Sequence, residues 1–122
     1  MAIRILIADD NVRVRTQLRR ALNKYDEWVI CAEAENGQQA VSKAEEQRPD
    51  VVILDLSMPV MNGLQACREI KRMLPSVPVF LYSLQDSSSL ESEARKVGAR
   101  AVLQKGWPVP SLIAALEERL RN

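Results

Sequence analysis

Val51-Val52-Ile53-Leu54 runs without a polar break into Asp55, and Leu56-Ser57-Met58-Pro59 then leads away toward Asn62-Gly63. A stretch that is apolar at every position and closed by Pro and Gly reads as a strand buried on both faces, the form of a central strand in a parallel sheet. No other feature constrains the chain as much, because such a strand needs a covering layer on each side. Asp55 falls where the strand surfaces. Ligands of open α/β sheets bind outside the carboxyl ends of the strands, so a carboxylate in that place is a candidate for chemistry. An isolated Asp there is better explained as a turn cap, and the rest of the chain must supply the context.

Ile3 to Ala8 is apolar apart from Arg4 and ends in Asp9-Asp10-Asn11, so a second strand also ends in acid. Val14, Leu18, Ala21 and Leu22 then recur at helical spacing, and Arg13, Arg15, Arg19, Arg20 and Lys24 read as its solvated faces. Trp28 to Ala34 is β-rich and follows a polar turn. Asn36 as cap, with Gln39 three residues on, makes a capping-box-like helix start, and Pro49 closes that helix. After the strand to Asp55, Leu64, Cys67, Ile70 and Leu74 mark one face of a helix that Pro75 stops. Val77 to Tyr82 is a further apolar run ending in Ser83. Gln85 to Ser89 reads as loop and helix cap, Leu90, Ala94 and Val97 pace a short helix, and Gly98 suits a left-handed end. Ala101 to Leu103 is a brief strand leading to Gln104-Lys105-Gly106, and Pro110 suits the first turn of a last helix carrying Leu112, Ile113, Leu116 and Leu120.

Strand and helix therefore alternate along the whole chain, which implies an α/β fold: a doubly wound parallel sheet with helices on both faces. For five strands and five helices the flavodoxin-like order 2-1-3-4-5 is the natural choice. In it the first and third strands are neighbours, so Asp9 and Asp10 stand beside Asp55, and Ser83 and Lys105 come to the same edge.

The span 1–122 reads as one domain, and a net charge of +1 points to neither nucleic acid nor an anionic membrane. The opening MAIRILIA runs into Asp9-Asp10 without a small-residue cleavage site, so it reads as a strand and not as a signal peptide. Cys31 and Cys67 suit small buried hydrophobes in a reducing compartment, and the cytoplasm is the expected location. The chain has no histidine, which removes Ser-His-Asp and Cys-His schemes and any phosphohistidine of its own.

Two carboxylates ~4 Å apart repel by about 4 kcal/mol at an effective dielectric near 20, so a cluster of three must recruit protons or a cation. Lys105 offsets one charge. Mg²⁺ would offset two more, since it accepts one or two carboxylates and completes its octahedron with water and phosphate oxygen. A carboxylate so activated can attack phosphorus and hold an acyl phosphate.

Asp9-Asp10 after the first strand, Asp55 in VVILDLSMPVMNGL, Ser83 after the fourth strand and Lys105 after the fifth resemble the receiver domain of two-component response regulators. The likeness spans the whole chain. It implies Asp55 as phosphoacceptor, with Asp10 as a direct Mg²⁺ ligand, Asp9 as a ligand through water and the Ser57 carbonyl as a further one. Ser83 would hydrogen-bond the phosphoryl group and Lys105 would pair with it. The implied donor is a phosphohistidine on a sensor histidine kinase or a histidine phosphotransfer protein. The chain would act as a phosphoacceptor that catalyses its own phosphotransfer and slow autodephosphorylation, signalling to a downstream effector and dimerising on phosphorylation. Residues 61–79 are most similar to regulators with a helix-turn-helix output domain, yet none follows Asn122, so a stand-alone receiver or a fragment is expected.

Three positions depart from the family pattern. Val102 replaces a usual aromatic switch residue, Leu84 stands where a small residue is common and narrows access, and Gly106 replaces a frequent proline. Ser57 and Gln85 occupy positions that tune hydrolysis. Trp107 or Tyr82 is a candidate to take over part of the missing aromatic's role, although core or loop packing is the favoured reading for both. Two rivals stay open: a receiver-like binding module that is not phosphorylated, and, more weakly, an aspartyl-phosphate hydrolase, whose second Asp is replaced here by Ser57.

Overall fold

The computed structural model describes residues 2–84 and 90–121. Its elements alternate as β1 (Ile3–Ala8), α1 (Val12–Asn23), β2 (Trp28–Ala34), α2 (Gly37–Gln47), β3 (Val51–Asp55), α3 (Gly63–Met73), β4 (Val79–Ser83), α4 (Glu91–Lys96), β5 (Ala101–Gln104) and α5 (Val109–Arg121). All strand pairs are parallel and the sheet order is β2-β1-β3-β4-β5, the flavodoxin-like order expected. Every residue of β3 and β4 is buried, as an unbroken apolar run requires of a central strand.

Two hydrophobic layers cover the sheet, and the two-residue period of each strand sorts its side chains between them. Ile5, Ile7, Ile53, Phe80, Tyr82 and Leu103 pack against Leu18 and Leu22 of α1 and Leu112, Ile113 and Leu116 of α5. Leu6, Ala8, Leu54, Leu81 and Val102 pack against Ala40 and Ala44 of α2, Cys67 and Ile70 of α3, and Ala94 of α4. Continued past the strand ends, the first series reaches Asp9, Asp55 and Lys105. Ser83 belongs to the second.

Local chemistry sets the helix ends. The Asn11 side chain accepts from the N–H groups of Arg13 and Val14 at 2.9 and 3.4 Å and so starts α1. Asn36 accepts from Gln39 N at 2.8 Å, but the Gln39 side chain takes the Glu35 N–H instead of closing the box on Asn36. The complete capping box is at α3, where Asn62 and Gln65 bond each other's backbone N–H. Leu74 ends the turn before Pro75, and Gly98 has φ 92°, both as expected. The expected cap over Gln85 to Ser89 lies outside the described residues.

Three expectations need correction. Arg15 is not solvated: it binds Glu33 on β2 at 3.1 Å and donates to the Asp9 carbonyl, while Arg19, still partly exposed, also binds Glu33 at 2.6 Å. β4 begins at Val79, because Val77 N turns back to Leu74 O and Pro78 has no N–H for a ladder. Cys67 is buried, and burial pushes its thiol up to about 11, whereas Cys31 is only half-buried.

Between β3 and α3, Met61 N donates to Pro59 O at 2.7 Å, a three-residue turn centred on Val60 with φ 69°. A positive-φ γ-turn is strained, and a β-branched residue makes it worse. Val60 is 75% exposed, so its side chain contributes little burial. Val60→Gly should therefore stabilise the fold by about 1 kcal/mol, the strain relieved less the entropy a glycine loses. A urea melt at neutral pH checks this, and a variant less stable than the parent refutes it.

Candidate functional site

β1 and β3 are hydrogen-bonded neighbours, so the acids that follow them meet at the C-terminal rim of the sheet. Asp9 and Asp55 are buried and Asp10 is exposed, and one oxygen from each lies within 4.8 Å of the others. The Lys105 ammonium joins this group from β5, 2.9 Å from Asp9 Oδ2 and 3.0 Å from Asp55 Oδ1. These four side chains are the ones the fold brings together.

The backbone holds them in place. Asp9 N donates to Ala34 O at 3.0 Å, and the Asn11 N–H donates to Asp9 Oδ1 at 2.8 Å. Asp55 is in register with Tyr82, Leu56 N donates to Tyr82 O at 3.0 Å, and Ser57 N approaches Asp55 Oδ1 at 3.5 Å. Lys105 N donates to Ser83 O at 2.9 Å, which ties the ends of β4 and β5 together. Ser83 is buried at this rim, with its side chain in the opposite alternation series from Asp55.

Burial raises the Asp55 pKa, the Lys105 bond opposes that rise, and the Asp9 charge adds to it; the outcome is a carboxyl held above its ordinary range. For Lys105 burial works against the charge, but the bonds to Asp9 and Asp55 win and its pKa lies above the usual lysine value. Asp9 Oδ2 is buried, and among the described residues its compensation is the Lys105 ammonium alone. Three acids and one cation leave an excess of negative charge with only oxygen donors, the preference of a hard divalent ion. The three acids bring oxygens within 4.8 Å of one another, close enough for one small divalent ion to be shared among them directly or through water.

Around the cluster, Leu84 is 81% exposed directly after Ser83, and Ser57 is exposed after Asp55. Val102 is buried in the layer under α2, α3 and α4, away from Lys105. Trp107 lines a groove with Tyr82 and Lys105. Gly106 has open space where a side chain would be. Gln85 lies outside the described residues. The sequence reading missed Asn11, which both caps α1 and fixes Asp9, and it named Tyr82 without its place against Lys105, whose Nζ lies 5.5 Å from the ring centroid. Strand alternation carries the signal for the second, since Tyr82 shares the parity of Phe80 on the α1–α5 side.

Residues 5–117 match the response regulator receiver domain. The chain belongs to this family. Among its relatives, the receiver is 38% identical over 114 residues to the transcriptional regulatory protein LnrK of Bacillus subtilis (strain 168), an overlap of 93% of this chain and 52% of that protein. It is 35% identical over 116 residues to the chemotaxis protein CheY of Listeria monocytogenes, covering 95% of this chain and 97% of that one. The receiver thus spans about half the length of the transcriptional regulators it matches and nearly all of CheY. Of solved structures, a LuxR-family response regulator from Aurantimonas sp. SI85-9A1 superposes with a TM-score of 0.93 at 26% identity, over 99% of this chain and 86% of that chain. Receivers of two-component response regulators are therefore the class to which this chain and its acidic rim belong, and no observation favours the rival readings. Among the described residues, no helix is long and apolar enough to cross a membrane.

Proposed function

We propose that residues 1–122 act as one receiver domain that takes a phosphoryl group onto Asp55 from a phosphohistidine of a sensor histidine kinase or histidine phosphotransfer protein. The supporting observation is that Asp9, Asp10 and Asp55 bring oxygens within 4.8 Å of one another while one ammonium contacts Asp9 and Asp55 at 2.9 and 3.0 Å. An Asp55 carboxylate oxygen attacks phosphorus; the new oxygen–phosphorus bond forms as the phosphorus–nitrogen bond to the donor imidazole breaks, and the imidazole takes a proton from water.

Asp10 would hold Mg²⁺ directly, Asp9 through water, and Asp55 with the Ser57 carbonyl would complete the protein's share of its ligands. When bound, the ion neutralises charge on the phosphoryl oxygens and on the acids that surround them. Lys105 supplies the second cation and pairs with a phosphoryl oxygen, and Ser83 donates a hydrogen bond to another. The rest of the protein's contribution is positioning: Asn11 N–H and Lys105 fix Asp9, and the β3–β4 register fixes Asp55. The chain is an acceptor with slow autodephosphorylation and not a turnover catalyst. It works in the cytoplasm, signals to an effector whose identity its own residues do not encode, and forms a dimer on phosphorylation.

Incubation with Mg²⁺ and acetyl phosphate, read by intact mass, tests the proposal. One phosphoryl group should appear on the parent and none on Asp55→Asn. Absence of uptake by the parent refutes the proposal in favour of a binding module, and steady turnover of a small phosphate ester refutes it in favour of a hydrolase.

A further inference from the structure

Tyr82 lies in register with Asp55 and packs in the layer shared by α1 and α5. Its ring centroid is 5.5 Å from Lys105 Nζ, within the range over which an aromatic face attracts an ammonium. The same ammonium contacts Asp9 Oδ2 and Asp55 Oδ1 at 2.9 and 3.0 Å, so it has two carboxylates and one ring face for neighbours. On the side of the ring a groove of about 340 Å³ runs between α1 and the first turn of α5. Leu18, Lys24, Tyr82, Trp107, Leu112 and Lys105 itself line it.

A lysine carries its charge on a flexible four-carbon stem, and such a stem beside an open groove has somewhere else to go. Swung into the groove, the ammonium would exchange two buried carboxylates for water and leave Asp9 Oδ2 without compensation. The ring lines that groove beside the lysine, with its centroid 5.5 Å from the ammonium.

We propose that Tyr82 is a positioning residue for phosphoryl transfer: its ring face holds Lys105 forward against Asp9 and Asp55 and denies it the retracted position in the groove. The proposal rests on Asp55 being the phosphoacceptor. It assigns the effect to the ring and none to the phenolic hydroxyl, and that distinction makes it testable.

Tyr82→Phe keeps the ring, whereas Tyr82→Leu keeps much of the apolar bulk and removes the aromatic face. Each is mixed with Mg²⁺ and saturating acetyl phosphate. An Asp55 oxygen–phosphorus bond forms, the phosphorus–oxygen bond to acetate breaks, and acetate leaves with the electron pair. Intact mass against time should give the Phe variant the parent's rate and the Leu variant a rate about tenfold lower, with the melting temperature of the Phe variant unchanged. A Leu variant as fast as the parent overturns the proposal, and so does a Phe variant as slow as the Leu one. A parent that takes up nothing instead refutes the phosphoacceptor reading, and the positioning role falls with it. A second measurement needs no Leu variant: in proton–carbon NMR spectra of the parent, the Lys105 ε-methylene signals should lie upfield of those of the other lysines, displaced by the ring current of Tyr82. Signals that coincide with the other lysines overturn the proposal.

Discussion

Lys105→Met should slow phosphoryl uptake from acetyl phosphate at least a hundredfold while leaving Asp55 in place. Among the described residues the ammonium is the one cation that contacts both Asp9 and Asp55, and removing a preorganised charge from a phosphoryl-transfer site costs on the order of 10² to 10³ in rate. The same substitution should destabilise the fold by roughly 3 kcal/mol at pH 7, because two buried carboxylates lose their counter-charge. The pH dependence follows from the directions of the shifts. Lys105 has a folded pKa above its ordinary value, owing to its bonds with Asp9 and Asp55 that outweigh the burial penalty, so its contribution is complete below the ordinary lysine range and is lost as pH rises through the folded value. Asp55 is raised by burial, so its ionisation costs stability as pH climbs from its ordinary value to its folded one. Parent and variant should thus converge in acid, where Asp55 is protonated, and separate toward neutrality. Urea melts at pH 3.5 and pH 7 make the comparison, and an equal difference at both would refute the electrostatic account.

Gly63→Ala should damage both the fold and the site without removing a charge. A Cβ at Gly63 would lie 2.3 Å from the Asp55 carbonyl oxygen and 2.9 Å from Leu56 Cα, and both are backbone atoms that cannot swing away. The first turn of α3 is pinned there by the Gly63 N–H bond to Leu56 O at 2.9 Å. Relieving the overlap requires moving either α3 or the end of β3, with a loss of roughly 3 kcal/mol. Asp55 would move with its own backbone, so phosphoryl uptake should fall even under conditions in which the variant remains folded. Calorimetry combined with the mass assay separates the two effects. A variant with parent stability would show that the close approach of α3 to β3 is not maintained in solution.

Most of the architecture was legible because the signals are local and periodic. Val51 to Asp55 and Trp28 to Ala34 appear as strands with the expected bounds, and Pro75 and Gly98 end their helices as their backbone chemistry demands. The meeting of Asp9, Asp10, Asp55 and Lys105 followed from strand order alone. What escaped depends on partners distant in the chain. Helical spacing shows that Arg15 and Arg19 face away from the core, yet it cannot show that Glu33 on the neighbouring strand stands opposite both. Propensity assigns Val60 an extended conformation, since a β-branched residue at positive φ is an outlier; the turn is imposed by the chain on either side, where Gly37 N holds Met61 O at 2.9 Å. Tyr82 was weighed as a substitute for a missing switch residue, whereas its place under Lys105 is a matter of which face of β4 it occupies.

The reactive rim draws its members from position 9 to position 105, so no shorter stretch of polypeptide contains it. A nascent chain still on the ribosome, or one clipped before its fifth strand, would lack the lysine that balances the acids. Charging with phosphate would then double as a report that the sheet is closed out to its fifth strand: a copy lacking position 105 would charge far more slowly and contribute little to the signal.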